Sequence, residues 1–298
     1  MYRKILSVVV FTCLAFSGVG AVSVETELTP PVIFSYGWPI SGSKDRDYYQ
    51  LDMTTPNVVE IGPNATSYPP ARTRGHDREL LDYWHARGKR LVRRCYVTKF
   101  NDDGEKVGYC DAEELLTRWS AAMDEYGIDG IAIDEFIKSR PDLVTEWVAA
   151  LKTLRGRYPD KLIFCWVAGE GIASQPLLEA IRDYADFCMP EVYYSETQAE
   201  GFPEFEFTRF RKAVDLIESK APGIARKTLI GLGAHQRLWD KDPEIDYKQF
   251  LEAQVKTIAE DDLLRKLPGI AVYAPYALDS ATISHLDKVL KTYYYGKR

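Results

Sequence analysis

Residues 130–136 read Gly-Ile-Ala-Ile-Asp-Glu-Phe, a run of small and β-branched residues that ends in two adjacent acids and a phenylalanine. Such a run predicts a buried β-strand, because its apolar side chains suit a sheet that is covered on both faces. The segment after it carries Leu143, Trp147 and Leu151 at helical spacing, which predicts a helix over residues 142–157. The two segments together form one strand–helix unit.

The same unit recurs along the chain on both sides of this stretch. The predicted strands cover residues 32–38, 57–61, 90–97, 130–136, 161–168, 187–194, 227–233 and 269–276. The predicted helices cover residues 77–87, 112–126, 142–157, 175–184, 206–219, 247–261 and 281–293. Eight strands that alternate with helices predict parallel pairing and an α/β fold, a single-domain (β/α)8 TIM barrel over residues 31–298. The rival is an open doubly wound sheet, which usually has a glycine-rich phosphate loop after its first strand, and Tyr36-Gly37-Trp38-Pro39 has none.

The N-terminus has the pattern of a secretory signal peptide. Arg3 and Lys4 precede a short apolar run over residues 5–16, and small residues follow at 17–21. We therefore expect residues 1–21 to be cleaved, residues 22–30 to form a leader, and the mature protein to be secreted or periplasmic. The alternative is an uncleaved N-terminal anchor. No later segment has 18 uninterrupted apolar residues, so we expect no stable membrane insertion after cleavage.

The net charge and the cysteine spacing argue against nucleic-acid-binding and zinc-cluster proteins. The net charge is −6 and would become −8 on removal of Arg3 and Lys4, with no basic cluster left, so we expect no nucleic-acid partner. The cysteines after the signal peptide allow two disulfides or buried free thiols, and their spacing does not fit a zinc cluster. The candidate pairs are Cys165 with Cys188 and Cys95 with Cys110.

Acidic residues at the ends of strands four and six are the strongest candidates for catalysis. In a (β/α)8 barrel the active site lies at the C-terminal ends of the strands, where Asp134, Glu135 and Glu191 fall. Adjacent carboxylates near an apolar core cost free energy through desolvation, so their presence at the end of this strand indicates a function. The structural alternatives are a salt bridge from Asp134 or Glu135 to Lys138 or Arg140, a helix cap, and, for Glu191, a hydrogen-bond acceptor inside the barrel.

A second set of residues at the same strand ends is predicted to bind substrate. Aromatic rings stack on the C–H faces of sugars, and the chain has 19 Tyr and 6 Trp, although extra tyrosines also suit an ordinary core. A loop histidine and further acids complete the set. The predicted substrate-binding residues are Tyr36, Trp38, Glu60, Trp166, Glu170, Tyr193, Tyr194, His235, Tyr273 and Tyr276.

This inventory of carboxylates and aromatics points to cleavage of glycosidic bonds. That reaction needs one carboxylic acid to protonate the leaving oxygen and a second carboxylate as nucleophile or base. The strand ends carry no Ser or Cys nucleophile elbow, phosphate loop or metal-spaced histidine pair, and we expect no metal and no cofactor.

Residues 127–134, Gly-Ile-Asp-Gly-Ile-Ala-Ile-Asp, resemble the fourth-strand motif of chitinase-like barrels, which follows the pattern DGxDxDxE with the proton donor last. In that alignment Phe136 stands at the donor position and Ala132 at a motif aspartate. The chain looks more like the spherulin-4 and endo-α-1,4-galactosaminidase type of barrel hydrolase, which has an Asp-Glu pair ending strand four and a Glu ending strand six. The matching residues here are Asp134, Glu135 and Glu191. This resemblance implies an endo-acting hydrolase of an exopolysaccharide that contains amino sugars.

The sequence thus predicts an exported, monomeric glycoside hydrolase that acts on a carbohydrate polymer or oligosaccharide. Asp134 and Glu191 are the expected working pair, and Glu135 and Glu170 are supporting acids. Three alternatives stay open: a non-catalytic carbohydrate-binding barrel, a metal-dependent hydrolase that uses the same acids, and a lyase or isomerase on the same fold.

Overall fold

The structure, a computed structural model, describes residues 28–36, 53–62, 78–101, 103–234, 242, 244–275 and 278–296. Within these ranges ten strands occur: β1 Val32–Tyr36, β2 Val58–Ile61, β3 Arg90–Tyr96, β4 Thr98–Phe100, β5 Lys106–Tyr109, β6 Gly130–Phe136, β7 Leu162–Val167, β8 Phe187–Pro190, β9 Leu229–Gly233 and β10 Gly269–Tyr273. The α-helices are α1 Arg78–His85, α2 Ala112–Met123, α3 Pro141–Arg157, α4 Gln175–Tyr184, α5 Thr208–Lys220, α6 Tyr247–Glu260 and α7 Ser280–Leu290, and a π-helical turn, Lys291–Tyr295, follows α7.

Eight of the strands form one parallel sheet in the order β8-β7-β6-β3-β2-β1-β10-β9. An isolated parallel bridge between Cys188 and Thr228 joins the two outermost strands. The sheet is therefore rolled into a nearly closed barrel with the helices outside it. The predicted (β/α)8 fold is confirmed.

The barrel has one apolar layer inside the sheet and another between the sheet and the helices. Alternate side chains on the strands face the axis, because successive residues of a strand point to opposite faces. The inner layer contains Val32, Phe34, Val58, Val92, Ala132, Phe164, Met189 and Ala271. Gly269 begins β10 where the backbones are too close for a side chain, since a Cβ there would lie 1.8 Å from the carbonyl oxygen of Val32.

Aspartate side chains cap three of the helices, with Asp111 before α2, Asp246 before α6 and Asp279 before α7. Asp111 accepts a hydrogen bond from the backbone N–H of Glu114 at the start of α2, and Asp279 accepts one from Thr282 at the start of α7. Ser174, which precedes α4, makes no such side-chain bond.

Two features of the sheet differ from the sequence prediction. Strand β8 ends at Pro190, whereas the predicted strand ran to residue 194. The connection from β3 to α2 contains an antiparallel hairpin, β4–β5, which the sequence analysis did not identify. Its strands are only three and four residues long, and Lys99 and Lys106 interrupt their apolar pattern.

Among the described residues, the cysteines at positions 95, 110, 165 and 188 are buried and free. Cys165 and Cys188, one of the candidate pairs, are register partners on the neighbouring strands β7 and β8. The structure corresponds to the free-thiol alternative rather than to disulfides. No helix in the described ranges combines the length and apolar character that crossing a membrane requires.

Candidate active site

A β-bulge at the end of β6 brings the acidic pair to the mouth of the barrel. Ile133 is the register partner of Cys165 and Phe136 that of Val167, so Asp134 and Glu135 together stand opposite the single residue Trp166. Glu135 takes up the extra length with a left-handed φ of 74°. Asp134 thus keeps the inward face.

The bulge also explains why Phe136 is not a site residue. The extra residue shifts the alternation, and Phe136 is fully buried on the outer face, with its ring centroid 5.2 Å from that of Trp147. The donor position of the chitinase-like pattern is therefore part of the core between β6 and α3.

A fully buried charged group lies just below the mouth. Glu60 on β2 forms an ion pair with Arg94 on β3, and both side chains have no solvent exposure. The indole N–H of Trp166 donates a 3.1 Å hydrogen bond to the second oxygen of Glu60. The Arg94 guanidinium stacks 3.4 Å above the Tyr36 ring centre. Burial raises the pKa of Glu60 to about 7, although the Arg94 charge opposes that rise.

Asp134 and Glu191 are half-buried acids that influence each other electrostatically. Burial raises the pKa of Asp134 to about 6, while the Arg94 charge works in the opposite direction and Glu135 adds to the rise. Burial also raises the pKa of Glu191 well above its usual value, and the charges of Asp134, Glu135 and Glu60 raise it further. Close like charges in a poorly solvated site disfavour ionising both acids. The site therefore favours one protonated and one ionised carboxyl near neutral pH.

Glu135 is held by the hairpin that the sequence did not predict. The ammonium group of Lys106 on β5 lies 2.6 Å from its carboxylate, and both side chains are about one third exposed. The sequence had offered Lys138 or Arg140 as partners, but Lys138 pairs with Glu170 and Arg140 with Asp142. The hairpin thus places a cation at the edge of the mouth.

Aromatic rings line the side of the mouth formed by β1, β7, β8 and β10. The rings of Tyr193 and Tyr273 stack with centroids 4.4 Å apart and planes 12° apart. Tyr36 lies 4.8 Å from Tyr273, and Trp166 lies 6.1 to 6.3 Å from Tyr36, Tyr193 and Tyr273. Gly231 makes room for this stack, because a Cβ there would lie 3.0 Å from the Tyr193 ring.

Tyr194, predicted to line the groove, packs elsewhere. It is buried, and its ring makes edge contacts with Phe205, Phe207 and Phe210, with centroids 5.1 to 5.5 Å away. Its hydroxyl accepts a 2.6 Å hydrogen bond from the backbone N–H of Arg209. Because neighbouring Tyr residues after β8 point in different directions, only Tyr193 reaches the aromatic group at the mouth.

Glu170 also lies away from the acidic group. Its side chain is 56% exposed, 3.4 Å from the Lys138 ammonium, and it contacts the hydroxyl of Ser139. Lys138 lowers the pKa of Glu170, opposite to the direction found for Asp134 and Glu191. Trp38, His235 and Tyr276 lie outside the described residues. In the described part of the chain, no group of three or more His, Cys, Asp or Glu side chains is arranged to hold a metal ion.

Arg94, Tyr96 and Lys106 contribute to the site but were not predicted from the sequence. The signal for Arg94 was present, because two adjacent arginines inside a predicted buried strand each require a partner. Tyr96 ends β3 beside Asp134 as its register partner. No local signal identified Lys106, since its role depends on a hairpin that folds over the mouth.

No protein-family model matches this chain, and no curated protein matches it. Solved structures do resemble it. An endo-β-N-acetylglucosaminidase from Cordyceps militaris aligns with a TM-score of 0.55 and 12% identity over 89% of this chain and 91% of that one. A GH18 chitinase from Pseudoalteromonas aurantia aligns with a TM-score of 0.57 and 10% identity over 87% and 100%. The glycoside hydrolase domain of PelA from Pseudomonas aeruginosa aligns with a TM-score of 0.51 and 12% identity over 84% and 97%. At these identities the likeness shows that the chain shares the (β/α)8-barrel fold of these hydrolases.

Proposed function

We propose that this protein is a glycoside hydrolase in which Asp134 and Glu191 form the working carboxylate pair. The observation that carries the proposal is the meeting of these two acids, from β6 and the end of β8, at the C-terminal mouth of the barrel in an environment that keeps one of them protonated. Most glycoside hydrolases cleave the glycosidic bond with such a pair. The structures that share the fold, named as glycosidases, support the same reaction class.

The charges around the two acids favour a division of roles. Asp134 has the Arg94 cation near it, which stabilises its ionised form, whereas the charges that act on Glu191 are all negative. Glu191 is accordingly the general acid that donates its proton to the leaving oxygen as the C–O bond breaks. Asp134 is the ionised partner, acting as the nucleophile at the anomeric carbon or as the base for the attacking water.

The surroundings of the pair support a carbohydrate as substrate. Tyr193 and Tyr273 offer partly exposed rings for stacking, and Glu135 is a supporting acid that adds negative charge. An excess of acids over cations at the mouth suits a polymer that carries positive charge, such as a partly deacetylated amino-sugar exopolysaccharide. That substrate class agrees with the resemblance to spherulin-4 and endo-α-1,4-galactosaminidase barrels. The signal-peptide pattern at residues 1–21 supports the proposal that the enzyme acts outside the cytoplasm.

The proposal is tested by release of reducing ends from neutral, acidic and amino-sugar polysaccharides. The wild type is compared with Asp134→Asn and Glu191→Gln. Asp262→Asn is the control, because that aspartate is 80% exposed and pairs with Arg265 before β10, at the opposite end of the barrel. We expect a loss of about 100-fold or more in both site variants, with unchanged circular dichroism, and wild-type activity in the control.

The outcomes separate this proposal from its rivals. Activity that survives both site substitutions contradicts the assignment of the pair. Binding of a polysaccharide without release of reducing ends supports a carbohydrate-binding barrel instead. Release that stops in a chelator and returns with a divalent metal supports a metal-dependent hydrolase.

A further inference from the structure

Two adjacent arginines on β3 face opposite sides of the barrel wall. Arg93 points outward, where its guanidinium donates hydrogen bonds of 2.6 and 3.0 Å to Glu125 and one of 2.7 Å to the carbonyl oxygen of Gly62. Arg94 points inward and pairs with Glu60. The two side chains are almost equally buried, so they differ mainly in what they face.

The inward pair connects four strands beneath the mouth. Arg94 binds Glu60 on the neighbouring strand β2 and covers the ring of Tyr36 on β1. Glu60 in turn accepts the hydrogen bond from Trp166 on β7. Tyr36 and Trp166 belong to the aromatic group at the mouth, so the ion pair underlies the surface on which a sugar would rest.

Stability alone does not account for a pair in this position. A fully buried ion pair contributes about as much to folding as well-packed apolar residues of the same volume, and often less. Arg94 sits in the inner layer, which is otherwise mostly apolar below it. The charge of Arg94 is therefore better explained by its effect on the residues of the mouth than by its contribution to stability.

The register of the sheet places Arg94 one step below Asp134. Arg94 is the register partner of Ala132, and Tyr96 is that of Asp134, so all four residues share the inner face of β3 and β6. The methyl group of Ala132 leaves space for the long arginine side chain beside β6. The guanidinium is thus a fixed positive charge directly beneath the acidic group.

We infer that Arg94 is a positioning residue that keeps Asp134 ionised opposite Glu191 and, together with Glu60, holds the Tyr36 and Trp166 rings in place. This inference rests on the proposed function of the mouth as a hydrolase site. The positive charge of Arg94 then accounts for the difference between the two carboxyls, with Glu191 as the acid and Asp134 as the ionised partner.

Other ionisable groups also face Asp134, and each contributes to its titration. The positive ones are Arg94 and Lys106. The acidic and phenolic ones are Tyr36 on β1, Glu60 on β2, Tyr96 on β3, Glu135 on β6, and Glu191 and Tyr193 after β8. Arg94 is the cation with the larger effect on Asp134, and unlike Lys106 it cannot move away into solvent.

The test follows the titration of the Asp134 carboxyl carbon by NMR in isotope-labelled protein, with its resonance identified by its loss in Asp134→Asn. The main variant is Glu60→Gln with Arg94→Met, which removes both charges and conserves volume. We expect its Asp134 midpoint to rise by up to about one pH unit, because the loss of the Arg94 charge outweighs the loss of the Glu60 charge, which acts in the opposite direction. The matched control, Glu125→Gln with Arg93→Met, removes the outward pair on the same strand and is expected to leave the midpoint unchanged.

Arg94→Gln is the fallback if the double variant does not fold, because glutamine keeps a donor for Glu60 and loses the charge. Arg94→Lys keeps the charge and is expected to titrate close to the wild type. Equal midpoints in the inward and outward double variants would overturn the inference and leave Arg94 with a structural role only.

The activity measurement adds a second readout. In the hydrolase, the acid limb of kcat/KM is expected to move to higher pH by the same amount as the Asp134 midpoint in the inward variant, and not in the outward one. The titration needs no substrate. Absence of hydrolysis in the wild type therefore contradicts the proposed function, whereas an unchanged titration contradicts the role of Arg94.

Discussion

Replacement of Asp134 by asparagine is expected to make the protein more stable above about pH 6 while abolishing its activity. Burial raises the pKa of Asp134 from 3.8 to about 6 in the folded protein. The folded state therefore binds a proton more tightly than the unfolded state. Between pH 3.8 and about pH 6 the wild type loses stability as the pH rises, because Asp134 ionises first in the unfolded chain.

The magnitude follows from the same two values. Each pKa unit corresponds to about 1.4 kcal/mol, so the ionised Asp134 destabilises the fold by at most about 3 kcal/mol above pH 6. Its side chain is partly exposed, and solvent screening reduces the expected gain to about 1–2 kcal/mol. Asparagine has the same shape, and its amide oxygen can accept the 2.8 Å hydrogen bond that Asp134 receives from the backbone N–H of Glu135.

The assay is urea unfolding of the wild type and Asp134→Asn at a series of pH values from about 4 to about 8. We expect the difference in free energy of unfolding to be close to zero at the acid end, to grow through the interval, and to level off above about pH 6. Asp262→Asn, on the exposed surface, is expected to show a small and nearly constant difference. A variant that is no more stable than the wild type at pH 8, or a difference that is the same at every pH, would refute this account of Asp134.

Three further predictions concern the strands that build the site. Gly269→Ala is expected to lower the midpoint of thermal unfolding strongly or to prevent folding, because its Cβ would lie 1.8 Å from the Val32 carbonyl oxygen, as differential scanning calorimetry would show. Glu135→Gly is expected to be about 1–2 kcal/mol more stable than Glu135→Ala in urea unfolding, since only glycine adopts a φ of 74° without strain. Phe136→Ala is expected to cost about 3–5 kcal/mol in the same assay, because the ring is fully buried against Trp147; a loss below about 1 kcal/mol would contradict its outward, core position.

The repeating pattern of strands and helices was readable from the sequence because both periods are local. Each strand is covered on both faces, so residues 130–136 are mostly apolar. The helix that covers them carries its own apolar residues at helical spacing. The positions of Asp134 and Glu191 at the mouth were predictable, since the end of a strand in a barrel is a position in space as well as in sequence. The directions of Tyr194 and Glu170 were not predictable, because the direction of a side chain just beyond a strand depends on how the loop turns.

The (β/α)8 architecture and the strand ends that carry the acids were predictable from the sequence, because a strand covered on both faces is apolar along its length. The directions of the acidic side chains and the groups around them depend on the folded chain. The bulge at Asp134 and Glu135 depends on register with β7, and the partners Arg94 and Lys106 arrive from a neighbouring strand and from a hairpin. The pKa values of Asp134 and Glu191, and hence their proposed roles, depend on burial and on charges brought together by the closed sheet. Those contacts are long-range, and no local pattern of residues encodes them.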